Sequence, residues 1–128
     1  MSYSNIFNIE HESERDFLYE LISSAKLCVI IFSASWCNPC KSLATSLDTS
    51  LNSIKGNLIS PSSSINVDLN TKIAVCKVNV ETFNDLSSVY KVSAIPHTIF
   101  FTNGQLHSEI IKGNDVEKIM NNIKKIIL

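Results

Sequence analysis

The sequence lacks an apolar run long enough to cross a membrane. The run Leu27-Cys28-Val29-Ile30-Ile31-Phe32 is far shorter than the roughly 20 residues that a transmembrane helix needs. Residues 1–6 also lack the basic and apolar regions of a secretory signal. We therefore expect a protein of a reducing compartment, the cytoplasm by default, that is not associated with membranes.

An excess of charge of either sign is also missing, and cysteine is scarce. The 11 basic and 12 acidic side chains give a net charge of -1, which offers no attraction for nucleic acid. Four cysteines are too few for a scaffold held together by disulfides at this length. The hydrophobic fraction of 45% is typical of globular proteins, so residues 1–128 are predicted to form one compact domain.

Hydrophobic periodicity divides the chain into alternating strands and helices in the order β-α-β-α-β-α-β-β-α. The pair Asn103-Gly104 predicts a tight turn between the last two strands. Strand–helix–strand units imply parallel pairing, so we expect a mixed sheet with helices on both faces. Strands are predicted at 6–9, 26–32, 73–80, 98–101 and 108–111. The first helix is predicted to begin after Ser13 as its N-cap, and the second to run over about 37–54. The third is predicted over 82–90, with Leu86, Val89 and Tyr90 facing inward. The last is predicted to follow Asn114, which forms a capping box with Glu117.

Residues 56–71 interrupt this pattern. The run Ser60-Pro61-Ser62-Ser63-Ser64 has the composition of turns and loops. We expect 56–71 to be a surface loop inserted into the domain.

The most informative motif is a pair of cysteines, Cys37 and Cys40, separated by two residues where the second helix is expected to begin. A thiolate at a helix N-terminus is stabilised by the helix dipole, which makes Cys37 the candidate nucleophile. Cys40, one turn further, is the candidate resolving thiol. A zinc half-site is the alternative, but zinc usually takes four ligands and no second paired motif is present. Cys28 and Cys76 stand alone in predicted strands and are expected to be buried and inert.

Several further motifs accompany this pair, and together they resemble the thioredoxin family. The run Ala34-Ser35-Trp36-Cys37-Asn38-Pro39-Cys40-Lys41 resembles its active-site signature, with Asn38 where glycine is most common. Ile95-Pro96 resembles its cis-proline element, and Phe101-Thr102-Asn103-Gly104-Gln105 resembles its hairpin. Lys77-Val78-Asn79-Val80 resembles its third-strand sequence, and Gly113 resembles the glycine before its last helix. The resemblance covers nearly the whole chain outside 56–71 and implies an α/β thioredoxin fold with a five-stranded mixed sheet.

The resemblance implies a protein disulfide reductase that works by dithiol–disulfide exchange. It implies a partner that reduces the oxidised pair, either a thioredoxin reductase or another dithiol donor, and no dissociable cofactor is needed. We also expect no metal and a monomer. The residues implied around the cysteines are Trp36 as a surface platform, Asn38 and Pro39 in the intervening loop, and Lys41, which either adds positive potential or is a solvated helix lysine. The residues implied in substrate binding are Ile95, Pro96 in a cis bond, His97 and Gly113.

Three residues depart from the family pattern. Ile31 stands where many members carry a buried acid that accepts the proton of the resolving thiol, and Lys77 stands where a lysine often accompanies that acid. We therefore hypothesise that deprotonation of Cys40 relies on water or on Lys77. His97 replaces a small hydroxyl residue, and it would stabilise a thiolate if it faced the dithiol or be a plain strand residue if it faced away. Ser33 replaces an aromatic residue and would loosen packing around the active-site helix.

Two other functions fit the same motifs. One is a related enzyme, such as a tryparedoxin-like carrier or a disulfide isomerase, because the residues between the cysteines tune the reduction potential without fixing it. The other is a non-catalytic adaptor that uses the cis-proline groove and the 56–71 segment for binding. An adaptor has no need of an intact cysteine pair, and this feature favours the reductase.

Overall fold

The structure is a computed structural model that describes residues 3–62 and 68–127. Within these ranges it has a five-stranded sheet and four α-helices. The strands are β1 (Phe7–Ile9), β2 (Leu27–Ser33), β3 (Ile73–Asn79), β4 (His97–Thr102) and β5 (Gln105–Lys112). The α-helices are α1 (Arg15–Ser24), α2 (Asn38–Leu51), α3 (Asn84–Val89) and α4 (Val116–Ile127). Short 3₁₀ segments occupy Glu12–Glu14, Asn52–Asn57 and Leu69–Thr71.

The sheet is mixed and has the strand order β1-β3-β2-β4-β5. The first three of these strands run parallel, and β4 and β5 run antiparallel to their neighbours. The predicted order of elements and the five-stranded mixed sheet are therefore confirmed. The carboxyl ends of β1, β3 and β2 meet at one edge of the sheet, and α2 begins there.

The core lies on both faces of the sheet, which explains why all seven residues of β2 are buried. One face carries Val29 and Ile31 and packs against α2 and α4. The other face carries Ile30 and Phe32 and packs against α1. The helix residues that fill these two layers are Leu43, Leu47, Leu51, Ile119 and Ile123 on the first face, and Leu18 and Leu21 on the second.

The hairpin between β4 and β5 turns at the predicted dipeptide. Asn103 and Gly104 have φ values of 50° and 81°, so both adopt the left-handed conformation that a two-residue turn of this kind requires. Asparagine and glycine are the residues that reach this region at least cost, and the turn was therefore predictable from two adjacent residues.

Two predicted helix caps are wrong. Helix α1 begins after the 3₁₀ segment Glu12–Glu14, so Ser13 is not its cap; instead the Glu14 carboxylate accepts a hydrogen bond from the backbone N–H of His11 at 2.9 Å. At α4 the Asp115 carboxylate, not the Asn114 side chain, accepts from the backbone N–H of Lys118 at 3.0 Å. Asp115 is equally suited to this role, and the positive φ of Gly113 sets the direction of the chain into the helix.

Two expectations about burial also need correction. Val89, predicted to face inward, is 66% exposed because α3 is short and turns only one side towards the sheet. The 56–71 segment is not entirely a surface loop, since Leu58 is 7% exposed and Ile59 is fully buried. Leu58 forms an isolated parallel bridge with Ile73, which attaches this part of the segment to the sheet. Residues 63–67 of the predicted insertion lie outside the described residues.

Candidate active site

Cys37 and Cys40 form a disulfide at the start of α2, close to the carboxyl edge of β2. Their Cα atoms are 5.3 Å apart. Cys37 has an extended backbone and is the N-cap of the helix, and Cys40 is its third residue. Pro39 lies in the first turn, where a residue without an N–H costs the helix no internal hydrogen bond.

The helix N-terminus stabilises negative charge on Cys37. The backbone N–H of Cys40 donates a hydrogen bond of 3.2 Å to Sγ of Cys37. An N–H donor aimed at a sulfur, together with the positive end of the helix dipole, favours the thiolate over the thiol when the disulfide is reduced. Cys37 is therefore the better placed of the two to act as a nucleophile at neutral pH.

The two cysteine residues are both buried and differ slightly in exposure. Cys37 is 5% exposed and Cys40 is 1% exposed. Both pack with Ala34, and Val80 and Ile95 lie against the same cluster. Cys37 is therefore the more accessible of the two, and the roles of attacking and resolving thiol stay a prediction.

The loop before β4 approaches the disulfide from the other side. The Ile95–Pro96 peptide bond is cis, the isomer that the resemblance implied. Ile95 is half-buried against the cysteines, whereas Pro96 is buried. The carbonyl of Pro96 accepts a hydrogen bond of 2.9 Å from the backbone N–H of Gly113, which has a φ of 86°. The structure thus brings together the predicted residues Cys37, Ile95, Pro96 and Gly113, which are far apart in sequence.

An open groove of about 460 Å³ lies beside the disulfide. Its walls include Trp36, Val80, Val92 and Ile95. Trp36 is 65% exposed, an unusual position for the largest apolar side chain of the molecule. Sequence reasoning did not assign Val80 and Val92 to this groove, because nothing in their local pattern distinguishes them from ordinary core valines.

The two lysines predicted near the active site, Lys41 and Lys77, differ in solvent exposure. Lys41, on α2, is exposed. Lys77 is half-buried on β3, directly beside Ile31 in the register of the sheet. Lys77 lines a cavity of about 50 Å³, which we call the Ser33 cavity; its other lining residues are Glu10, Ser33, Ala34, Ser35 and Asn79.

His97 was expected among the substrate-binding residues, but it lies in the core and not on the substrate-facing surface. It is 2% exposed, and its ring contacts Phe32 with 6.2 Å between ring centroids. Its β4 register pairs it with Phe32, so its side chain points to the sheet face that α1 covers. Burial, and secondarily the charge of Lys112, lower the pKa of the His97 imidazole. The neutral ring is thus favoured in the core.

Cys28 and Cys76 are fully buried free thiols, as expected. The register pairs Ile30 with Cys76, which places Cys28 and Cys76 diagonally on the same face of adjacent strands. A hydrogen bond with the Cys76 thiol, together with burial, raises the pKa of Cys28. This closeness could not be predicted without the register. In residues 3–62 and 68–127 no group of three or more His, Cys, Asp or Glu side chains is arranged to hold a metal ion.

Comparison with known proteins agrees with this geometry. The family model described as Thioredoxin matches residues 8–125. A thioredoxin of Echinococcus granulosus is 32% identical over 100 residues, with 78% of each chain covered. A mitochondrial thioredoxin of Rattus norvegicus is 27% identical over 124 residues, and the match covers 97% of this chain but 64% of the rat protein.

Solved structures show the same fold. The crystal structure of a Malassezia sympodialis thioredoxin superposes with a TM-score of 0.72 at 22% sequence identity, covering 100% of this chain and 98% of that one. Identity this low establishes the fold alone. Among residues 3–62 and 68–127, no helix is long and apolar enough to span a bilayer.

Proposed function

Because the chain belongs to the thioredoxin family and carries that family's dithiol–disulfide oxidoreductase centre, we propose that it reduces disulfides in other proteins, with Cys37 as nucleophile and Cys40 as resolving thiol. The observation that carries this proposal is the Cys37–Cys40 disulfide at the N-terminus of α2, where the backbone N–H of Cys40 donates a hydrogen bond to Sγ of Cys37. The same bond caps α2, so the helix start that orders the disulfide also places a donor beside Sγ of Cys37.

The reaction takes two exchange steps. The Cys37 thiolate attacks one sulfur of the substrate disulfide, the substrate S–S bond breaks, and the other substrate sulfur leaves as a thiolate. Cys40 then loses its proton and attacks Sγ of Cys37, which releases the second substrate sulfur. Two electrons have passed to the substrate, and the Cys37–Cys40 disulfide shown by the structure is the oxidised product.

Substrate binding is assigned to the groove beside Trp36 and to the loop containing Ile95 and Pro96. An extended segment that carries a disulfide would lie along this loop, in the manner of a strand added to a sheet edge. The exposed indole of Trp36 offers apolar area to a protein partner without rearrangement. This supports protein substrates over small disulfides.

Turnover requires a partner that reduces the disulfide again. A thioredoxin reductase or another dithiol donor fills this role in the proposal, and the two cysteine sulfurs supply the chemistry without a dissociable cofactor. The nearly balanced charge of the chain offers no attraction for nucleic acid or for an anionic membrane surface, which supports a protein that acts on other proteins. We propose that it does so as a monomer. We propose the cytoplasm as its compartment. The mitochondrial relative makes the mitochondrion the alternative, and fractionation of cells that produce the full protein decides between them.

Reduction of insulin disulfides, followed with candidate electron donors, tests the proposed function. We expect turnover with the native chain, none with Cys37→Ser, and accumulation of a mixed disulfide with Cys40→Ser. Cys28→Ala is the matched control, since it removes a thiol outside the pair and should retain turnover. A native chain that binds disulfide-containing proteins but turns over with no donor would identify an adaptor and contradict the proposal.

A further inference from the structure

The carboxyl edge of β2 and β3 carries polar side chains on the face that also holds Ile31. The register pairs Ile31 with Lys77 and Ser33 with Asn79, so these four side chains share one face of the sheet. Ile31 belongs to the core under α2 and α4, whereas Lys77 and Asn79 are half-buried. The apolar layer on this face therefore ends at Ile31, and a polar layer begins just before the disulfide.

This polar layer encloses the Ser33 cavity, whose volume of about 50 Å³ is sufficient for one or two water molecules. Two of the lining residues reach the solvent, because Glu10 is exposed and Lys77 is half-buried. A polar lining of this kind holds water, whereas an apolar cavity of similar size stays dry.

Ser33 is the side chain that most needs a ligand in this cavity. It is 1% exposed, and its Oγ has no hydrogen-bond partner among the described residues. Buried hydroxyl groups in proteins nearly always have a partner, either protein or ordered water. Because Ser33 lines a polar cavity, a water molecule there is the partner that its hydroxyl can reach.

One residue, Ala34, links the cavity to the cysteine pair. Ala34 lines the cavity and also packs with Cys37 and Cys40. Cys40 is 1% exposed, so its thiol has little direct contact with bulk solvent. Its proton must nevertheless leave before the sulfur can attack, because the thiolate is the nucleophile.

We propose that the Ser33 cavity is the proton-acceptor site for Cys40, and that Ser33 is a positioning residue that holds the accepting water. The inference rests on the proposed function. The Cys40 thiol gives its proton to the water, and the Cys40 thiolate attacks Sγ of Cys37 in the mixed disulfide. The bond between Cys37 and the substrate breaks, the Cys37–Cys40 bond forms, and the substrate thiolate takes a proton from solvent. The proton on the cavity water leaves through the opening lined by Glu10.

Other titratable groups lie on the surrounding elements. Lys41 lies on α2 and is exposed, and His97 on β4 is buried against Phe32. Glu10 and Lys77 are the titratable groups that line the cavity itself. The pH dependence that arises from proton loss at Cys40 is therefore expected to respond to changes at the cavity and not to changes at Lys41 or His97.

The reaction of the reduced protein with Ellman's reagent separates the two exchange steps in a stopped-flow experiment. Attack by Cys37 releases the first thionitrobenzoate, and attack by Cys40 on the mixed disulfide releases the second. Ser33→Ala is expected to slow the second phase about tenfold near pH 7, with the difference shrinking towards pH 9 as hydroxide takes over the proton. The first phase should stay within about twofold of the native rate, because a general-base effect on Cys40 does not act on Cys37.

Thr98→Val is the matched control. Thr98 is fully buried, its Oγ1 also has no partner among the described residues, and it pairs with Ile31 from the β4 side, yet it does not line the cavity. The inference would be overturned if the second phase of Ser33→Ala were as fast as that of the native protein at every pH. It would also be overturned if Thr98→Val slowed the second phase as much as Ser33→Ala does. A native protein with no first phase would overturn the proposed function and this inference together, so the two failures are distinguishable.

Discussion

The backbone N–H of Gly113 donates a hydrogen bond of 2.9 Å to the carbonyl oxygen of Pro96. This bond joins the end of β5 to the loop that packs against the disulfide. It depends on Gly113 keeping a φ of 86°, a conformation in which most residues other than glycine are strained. The position of the substrate-facing loop is therefore coupled to a glycine 17 residues later in the sequence.

Replacement of Gly113 is expected to damage both stability and substrate affinity. A Cβ at Gly113 meets nothing within 4 Å, so the cost of Gly113→Ala is backbone strain of about 1–2 kcal/mol in the free energy of unfolding. Urea denaturation measures this loss, and the KM for insulin should rise as Pro96 shifts. Gly56→Ala is the control, since Gly56 also has open space around it and no positive φ. Equal losses in both variants would show that φ is not the cause.

Trp36 is expected to bind substrate and to contribute little to folding. Trp36→Ala should lower kcat/KM for a protein disulfide about tenfold, or about 1.4 kcal/mol, because an exposed aromatic side chain is a typical anchor in a protein interface. The free energy of unfolding should change by less than about 0.5 kcal/mol. Leu106→Ala removes a comparably exposed apolar side chain from β5, away from the groove, and should leave kcat/KM unchanged. A similar loss in both variants would contradict a specific role for Trp36.

The two core thiols are expected to resist modification in the native protein. Because the hydrogen bond with Cys76 and burial raise the pKa of Cys28, little thiolate forms there near neutral pH. Mass spectrometry after brief iodoacetamide treatment of the reduced protein should find Cys37 modified, with Cys28 and Cys76 modified only in urea. Rapid labelling of Cys28 in the native state would show that this core opens readily.

Ionisation of the Cys28 thiol is expected to lower the free energy of unfolding in alkaline solution. A group whose pKa is raised by folding contributes its full stabilisation below its unfolded pKa, about 8.5 for cysteine, and loses it as the pH rises through the higher folded value. The free energy of unfolding should therefore decline above about pH 8.5. The decline should be smaller in Cys28→Ala. An identical alkaline profile in the variant would assign the decline to other groups.

His97 is expected to destabilise the fold in acid. Burial, and then Lys112, lower the pKa of its imidazole, so the unfolded chain binds a proton at higher pH than the folded one does. The neutral imidazole of His97 contributes its full stabilisation above the unfolded pKa of about 6.5, and this contribution is lost as the pH falls through the folded pKa. The NMR titration of His97 should give a midpoint below 6.5, and His97→Gln should weaken the acid sensitivity. His11→Gln, at an exposed site, is the control, and a His97 midpoint at or above 6.5 would contradict the burial argument.

Features that depend on adjacent residues follow from the amino-acid sequence alone. The apolar run around Ile30 predicts a central strand because a strand covered on both faces has no polar side. Asn103-Gly104 predicts a hairpin because these residues reach positive φ, and the spacing of Cys37 and Cys40 predicts exchange chemistry at a helix start. Local sequence does not assign the cap of α4, because Asp115 is as good a cap as Asn114 and the direction of the chain after Gly113 selects Asp115.

Features that depend on strand register, and on which face of the sheet a side chain occupies, follow only from the folded chain. Strand alternation allowed His97 to face either way, and pairing with Phe32 placed it in the core. Leu58 and Ile59 lie in a segment of loop composition, but contact with β3 buries them. The Ser33 cavity exists because three strand ends bring Glu10, Ser33 and Lys77 to the same edge. Local sequence encodes backbone preference and hydrophobicity, whereas the distance between residues remote in the chain is set by packing of the whole sheet.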